Sequence, residues 1–191
     1  MDYLLNALKV IIQLASSLLS TLFVLRVLAE ASRADFHNPL SQFLYKATNP
    51  VLAPIRRVIP NWRRINLSAI AVAWLVMVLK WAALYALDGR SLHLAGLALL
   101  GAADLIDFVL VFYLVLIFGW SLLSMLQVDP RQPALRLAGA IVEPLLRPLR
   151  GKLVVGMLDF SPMVVMLAIV LARILIAAPL IDLGTAMTLG G

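Results

Sequence analysis

The stretch Asn49-Pro50-Val51-Leu52-Ala53-Pro54-Ile55-Arg56-Arg57 returns 94 residues later as Glu143-Pro144-Leu145-Leu146-Arg147-Pro148-Leu149-Arg150, with both prolines and Arg56/Arg150 in register. At the same offset Asp35 falls on Asp129, and the Pro39 of Asn38-Pro39 falls on Pro133. After a slip of one residue, Ile65-Asn66-Leu67-Ser68 falls on Leu158-Asp159-Phe160-Ser161, and Lys80 falls on Arg173. A sequence that writes one plan twice must satisfy it twice in space, so its fold is two copies of one unit packed together.

Those units belong in a membrane. Hydrophobic residues make up 63% of the chain and charged residues only 14%, against roughly 45–50% and about 25% in a soluble domain. Residues 10–25 carry no charge and have apolar flanks at 3–7 and 27–29, enough for a first span, which needs about 20 residues. Ala29-Glu30-Ala31 has the form of a leader cleavage site. The corresponding run at 104–126 lies deep in the chain, where no leader can be, so the repeat favours an uncleaved span. Residues 69–87 form the second span, interrupted only by Lys80 and preceded by Ser68 as a candidate cap. The third span is 104–126. The fourth opens at Ser161-Pro162, with serine as cap and proline at the first helical position, and runs to Ile181.

Between the first two spans, residues 30–66 are rich in proline and arginine and too long for a structureless loop. Leu40, Phe43, Leu44 and Ala47 keep helical spacing, so residues 39–48 read as a short amphipathic helix at the interface, which Pro50 and Pro54 then break. The second connection, 127–159, repeats this pattern. Asp88-Gly89-Arg90 turns the chain, and the apolar segment 92–103 is too short to cross, reading instead as an interfacial or re-entrant piece. The expected architecture is all-α and integral to the membrane, with four transmembrane helices in two parallel two-helix repeats. Each repeat carries an amphipathic proline/arginine-rich interfacial segment. Residues 3–87 form the first repeat, 88–103 the connecting segment and 104–183 the second repeat.

Charge orients this plan. The two connections hold six and five Lys/Arg, whereas the opposite side has only Lys9 and Arg90 near its span ends, a positive-inside bias that puts both connections in the cytoplasm and both termini outside. The formal charge of +6 is therefore dealt out between spans. With no recognition motif and no aromatics interleaved on a basic face, nucleic acid is not an expected partner.

The run Ala34-Asp35-Phe36-His37-Asn38-Pro39-Leu40-Ser41-Gln42-Phe43, followed by Asn49-Pro50, Pro54-Ile55-Arg56-Arg57 and Ile59-Pro60, resembles the first repeat of the YggT family of bacterial inner-membrane proteins. Glu143-Pro144-Leu145-Leu146-Arg147-Pro148-Leu149-Arg150 and Leu158-Asp159-Phe160-Ser161-Pro162 resemble its second. The first copy departs at Ile65-Asn66-Leu67-Ser68-Ala69, which lacks the acidic residue and the proline, and the second at Arg150-Gly151, where a doubled arginine is usual. The resemblance implies an inner-membrane protein associated with osmotic or extracytoplasmic stress tolerance. It also implies plastid and cyanobacterial relatives tied to cytochrome haem maturation or to division and nucleoid organisation.

Two constellations stand out as candidate sites. The lipid- or partner-binding motif comprises Asn38, Pro39, Asn49, Pro50, Pro54, Arg56, Arg57, Glu143, Pro144, Arg147, Pro148 and Arg150, with its arginines suited to anionic headgroups. The intramembrane charges are Lys80 and Arg173, with Asp104 and Asp107 as their expected partners, three residues apart on one helical face. Arg26 and Glu30 read as a local interfacial pair. The chain lacks cysteine, and His37 and His93 fall on opposite sides of the membrane, so no metal or other cofactor is implied. No nucleophile stands beside a base in the sequence, and the reading is non-enzymatic. A membrane platform that binds anionic lipid and membrane-protein partners, and a small ion channel or transporter working as a homo-oligomer, are both compatible with these residues.

Overall fold

The computed structural model describes residues 2–90, 92–126, 128–129, 131–155 and 158–190. Its elements in chain order are α1 (Asp2–Ala31), α2 (Pro39–Ile55), α3 (Leu67–Leu87), α4 (Leu94–Met125), α5 (Pro133–Leu146), the two-residue strands β1 (Val154–Val155) and β2 (Leu158–Asp159), α6 (Ser161–Ala172) and α7 (Ala178–Leu189). A π-turn at Arg173–Ala177 joins α6 to α7. Four helices are long and apolar enough to cross a membrane: Tyr3–Ala31, Leu67–Leu87, Leu94–Met125 and Ser161–Leu189.

Each repeat pairs its two long helices, α1 with α3 and α4 with α6–α7, and α3 packs on α4 to join the halves. Each half has its own apolar core, and the short helices contribute matching leucines to them. Leu52 of α2 enters the core of Phe23, Val24, Ala69 and Ala73, and Leu146 of α5 enters that of Ile117, Val142, Val165 and Ile169. The two connections lie on one face, where the Asn38 side-chain amide donates to the Pro133 carbonyl at 2.7 Å and Arg136 to Asp35 at 2.8 Å. The opposite face is tied by the Lys9–Asp88 pair and by the His93 amide donating to the Thr188 carbonyl at 3.2 Å. The two halves therefore run parallel.

Several local expectations are corrected. Segment 92–103 is not a separate interfacial piece, because α4 starts at Leu94 and runs unbroken for 32 residues, about 48 Å. Asp104 does not mark its start but lies inside it, paired with Lys80. Gly96 and Gly101 do not break it either. An added Cβ at Gly96 would strike the Thr188 backbone and one at Gly101 the Val78 side chain, so these are points where α7 and α3 approach closely. A helix this long exceeds the roughly 30 Å hydrocarbon core, so it must tilt or project.

Pro50 does not break the helix of the first connection. α2 continues through both prolines to Ile55 while burying Ser41, Leu44, Thr48 and Leu52. Pro50 and Pro54 are both exposed and one turn apart, so the carbonyls they leave unpaired fall on the outer face, and the packed face holds the helix together. Ser68 and Ser161 are not caps. Asn66 caps α3 by accepting from the Ala69 amide at 3.0 Å, while the Ser68 hydroxyl donates to the Ile59 carbonyl at 2.7 Å. Ser161 is the first residue of α6, and its hydroxyl donates to the Leu149 carbonyl at 2.9 Å. The two repeat-matched serines thus tie each connection back to the next span. The fourth span extends past Ile181 to Leu189. Pro179, which has no N–H, causes its π-turn, and the Ala178 amide reaches back to the Arg173 carbonyl instead.

Candidate functional site

The starts of α2 and α5 meet where the connections cross. Asn38, buried in this junction, accepts from the Leu40 amide at 2.9 Å while its own amide holds Pro133. Asp35 accepts from the His37 amide at 2.9 Å, and Asp129 accepts from the Arg131 amide at 2.9 Å, so the same turn is made once per repeat. The His37 amide, reinforced by the His37 ring and by Arg136, holds the Asp35 carboxyl below the usual carboxylate range.

Around the motif the repeats diverge. Arg26, only 1% exposed, places Nε 2.6 Å from Glu30 and lies 3.3 Å over the Tyr45 ring, while its Nη2 donates to Asn49 at 3.3 Å. Arg56 reaches the same Glu30 at 3.5 Å. Burial, together with Glu30, pushes the Tyr45 phenol up and keeps it neutral beside the cation. The expected Arg26–Glu30 pair is therefore present, but as the centre of a closed cluster rather than an exposed interfacial contact.

At the repeat offset, Arg26 corresponds to Trp120 and Arg56 to Arg150. Here the aromatic sits on the spanning helix, with Arg150 5.8 Å from the Trp120 ring and paired to Glu143 at 2.6 Å. The space remains an open cleft of about 300 Å³ lined by Trp120, Ser121, Ser124, Arg150 and Asp159 among others. Each repeat thus turns one motif arginine onto a carboxylate, Arg56 or Arg150, whereas Arg57 and Arg147 are exposed. Pro39 opens α2, and Pro144 and Pro148 are exposed beside the second motif.

The outer face of α2 is apolar as well. Leu40, Phe43, Ala47, Val51 and Pro54, continued by Val58, follow one another at spacings of three and four and are all exposed, with Phe43 at 63% and Val58 at 82%. Lys46 and Arg57 flank this stripe in helical register and are exposed, as are Arg63 and Arg64 in the turn that follows.

Within the spans, Lys80 donates to Asp104, which also accepts from the Trp81 indole at 3.0 Å. Arg173 makes a two-pronged contact with Asp107, at 2.7 and 3.0 Å. The two acids stand one turn apart on α4 but face different neighbours. Lys80–Asp104 joins the two repeats, whereas Arg173–Asp107 lies inside the second. Among the described residues no group of three or more His, Cys, Asp or Glu could hold a metal ion.

The CCB3/YggT family profile matches this chain twice, over residues 4–87 and 99–180. The chain belongs to the CCB3/YggT family. The two matched segments correspond to the two structural repeats. Relatives include the "Uncharacterized protein in proC 3'region" of Vibrio alginolyticus, 36% identical over 84% of this chain and 91% of that protein. An uncharacterized protein of Pseudomonas aeruginosa is 34% identical over 87% of this chain and 86% of its own length. The YggT protein of Escherichia coli K12 is 30% identical over 85% of each. No solved structure matches this CCB3/YggT chain.

Sequence reasoning missed the Tyr45 lid on Arg26 and the cleft under Trp120. The signal that could have found them was the repeat itself. Aligning Arg26 with Trp120 shows a cation and an aromatic exchanged at one position of the plan, as expected where both must meet a partner of the opposite kind.

Proposed function

We propose that this non-enzymatic protein of the bacterial inner membrane presents its two proline/arginine connections as a cytoplasmic platform. The platform binds anionic lipid headgroups and docks membrane-protein partners, serving membrane stress tolerance or the assembly of partner complexes. The observation that carries the reading is the exposed apolar stripe from Leu40 to Val58 with the exposed cations Lys46 and Arg57 at its margin, in a connection that also exposes Arg63 and Arg64. An apolar face with a cationic margin matches the boundary between acyl chains and anionic headgroups. The excess of lysine and arginine in the connections supports the cytoplasmic orientation.

The test is lipid retention measured by native mass spectrometry, comparing phosphatidylglycerol with phosphatidylcholine. Arg57→Ala with Arg147→Ala removes two exposed cations and leaves the Arg56–Glu30 and Arg150–Glu143 pairs intact. At about 1 kcal/mol per cation, the anionic preference should fall about 30-fold. An unchanged preference in the folded variant refutes the platform. Ion movement is a second reading, favoured by the four charges within the spans. It requires flux through liposomes that Asp104→Asn/Asp107→Asn abolishes without unfolding the protein.

A further inference from the structure

The two intramembrane pairs differ in how they are enclosed. Lys80 and Asp104 have side chains 14% and 17% exposed, whereas Arg173 and Asp107 are 38% and 23% exposed. Lys80, which holds Asp104, stands about 10 Å from the Leu87 end of α3 and about 20 Å from its Leu67 end, and Asp107, paired with Arg173, is one further turn inward on α4, level with the middle of that roughly 30 Å helix. At that depth neither side chain can snorkel to a headgroup. The contact with Asp107 uses Nε and Nη2 of Arg173, leaving the Nη1 donors outside the pair. An ion pair facing hydrocarbon at mid-membrane is unfavourable, and such groups normally face protein or water.

The face of α4 that carries Asp107 continues through Val111, Val115, Phe118 and Leu122, at helical spacing. Val115, Phe118 and Leu122 are 66%, 56% and 42% exposed.

We propose that a second copy of this chain covers this face, packed about a twofold axis along the membrane normal, with Arg173 of each molecule completing Asp107 of the other. Such an axis places identical depths opposite each other, and the pair offers one cation and one anion at one depth, so it is self-complementary. A lipid tail offers neither. The inference stands apart from the lipid-platform reading, because it concerns the middle of the spans rather than the connections.

The chain has no cysteine, so single cysteines report cleanly. In oxidised proteoliposomes, Phe118→Cys in otherwise wild-type protein should give a disulfide dimer. Leu14→Cys on α1 and Leu79→Cys on α3, both exposed, should stay monomeric. In single-molecule counting, Arg173→Met should weaken dimerisation about tenfold, and the exchange Asp107→Arg/Arg173→Asp should restore it. The proposal is overturned if Phe118→Cys crosslinks no more than Leu14→Cys, or if wild-type protein counts as monomers. It is equally overturned if a membrane-impermeant thiol reagent labels Val111→Cys, which would place the pair on water.

Discussion

Removing one partner of the Lys80–Asp104 pair should destabilise the protein strongly, and removing both should hardly matter. Both side chains are less than one-fifth exposed, and Asp104 has a second donor in the Trp81 indole at 3.0 Å. Stranding one member of such a pair costs about 3–5 kcal/mol, whereas exchanging both for apolar residues of similar size is often neutral or favourable. The lower end of that range applies here. Lys80 in the Asp104→Leu variant can bend toward the end of α3, seven residues away at Leu87, about 10 Å, and Asp104 in Lys80→Met keeps Trp81. Each single variant should therefore lose about 3 kcal/mol, or roughly 6–12 °C in Tm for a chain of this size. Lys80→Met/Asp104→Leu should lie within about 1 kcal/mol of wild type, so the coupling is about 5–7 kcal/mol. The assay is a double-mutant cycle from reversible unfolding in one detergent–lipid mixture. If the double variant loses the sum of the two singles, the pair does not act as a unit and the reasoning fails.

Three further outcomes follow from the geometry. Gly96→Val should destabilise by about 2–3 kcal/mol, since its side chain meets the Thr188 backbone, whereas Gly119→Ala, inside α4 with open space around it, should stabilise by about 0.5–1 kcal/mol. Pro54→Ala restores a donor to the Pro50 carbonyl inside α2 and should raise the unfolding free energy by about 1–3 kcal/mol. Because the folded-state pKa of Asp35 is depressed, its stabilising contact is fully present above the unfolded value of about 3.9 and fades as pH falls through the lower folded value. Hydrogen-exchange protection at the start of α2, taken relative to the intrinsic rate at each pH, should therefore fall below about pH 4, and Asp35→Asn should remove that pH dependence.

Much of this architecture was legible in the residues, and the failures were of one kind. Four long apolar runs and one repeated plan require four helices in two like halves, because hydrocarbon accepts only segments that satisfy their own backbone. Asp104 as a helix boundary, Pro50 as a breaker and Arg26–Glu30 as no more than a local pair were all read from local character. Each was overruled or enlarged by neighbours distant in the chain: the packing of α7 and α3 on the first turns of α4, the packed face of α2 against the spans, and the Tyr45 ring folding over the guanidinium.

The same division separates the two halves of the candidate site. The sequence by itself determined the number of crossings and the common face of the connections. Composition and helical rise decide those, and a membrane sorts residues by depth. Only the tertiary structure decided that Asp104 would bind Lys80 across the repeats while Asp107, one turn away, would bind Arg173 within the second. That depends on α4 lying between α3 and α6–α7 and on how far each helix is rotated about its axis. Rotation is set by the close approaches at Gly96, Gly101 and Gly184 and by the π-turn ahead of Pro179, contacts between segments that no single stretch of sequence contains.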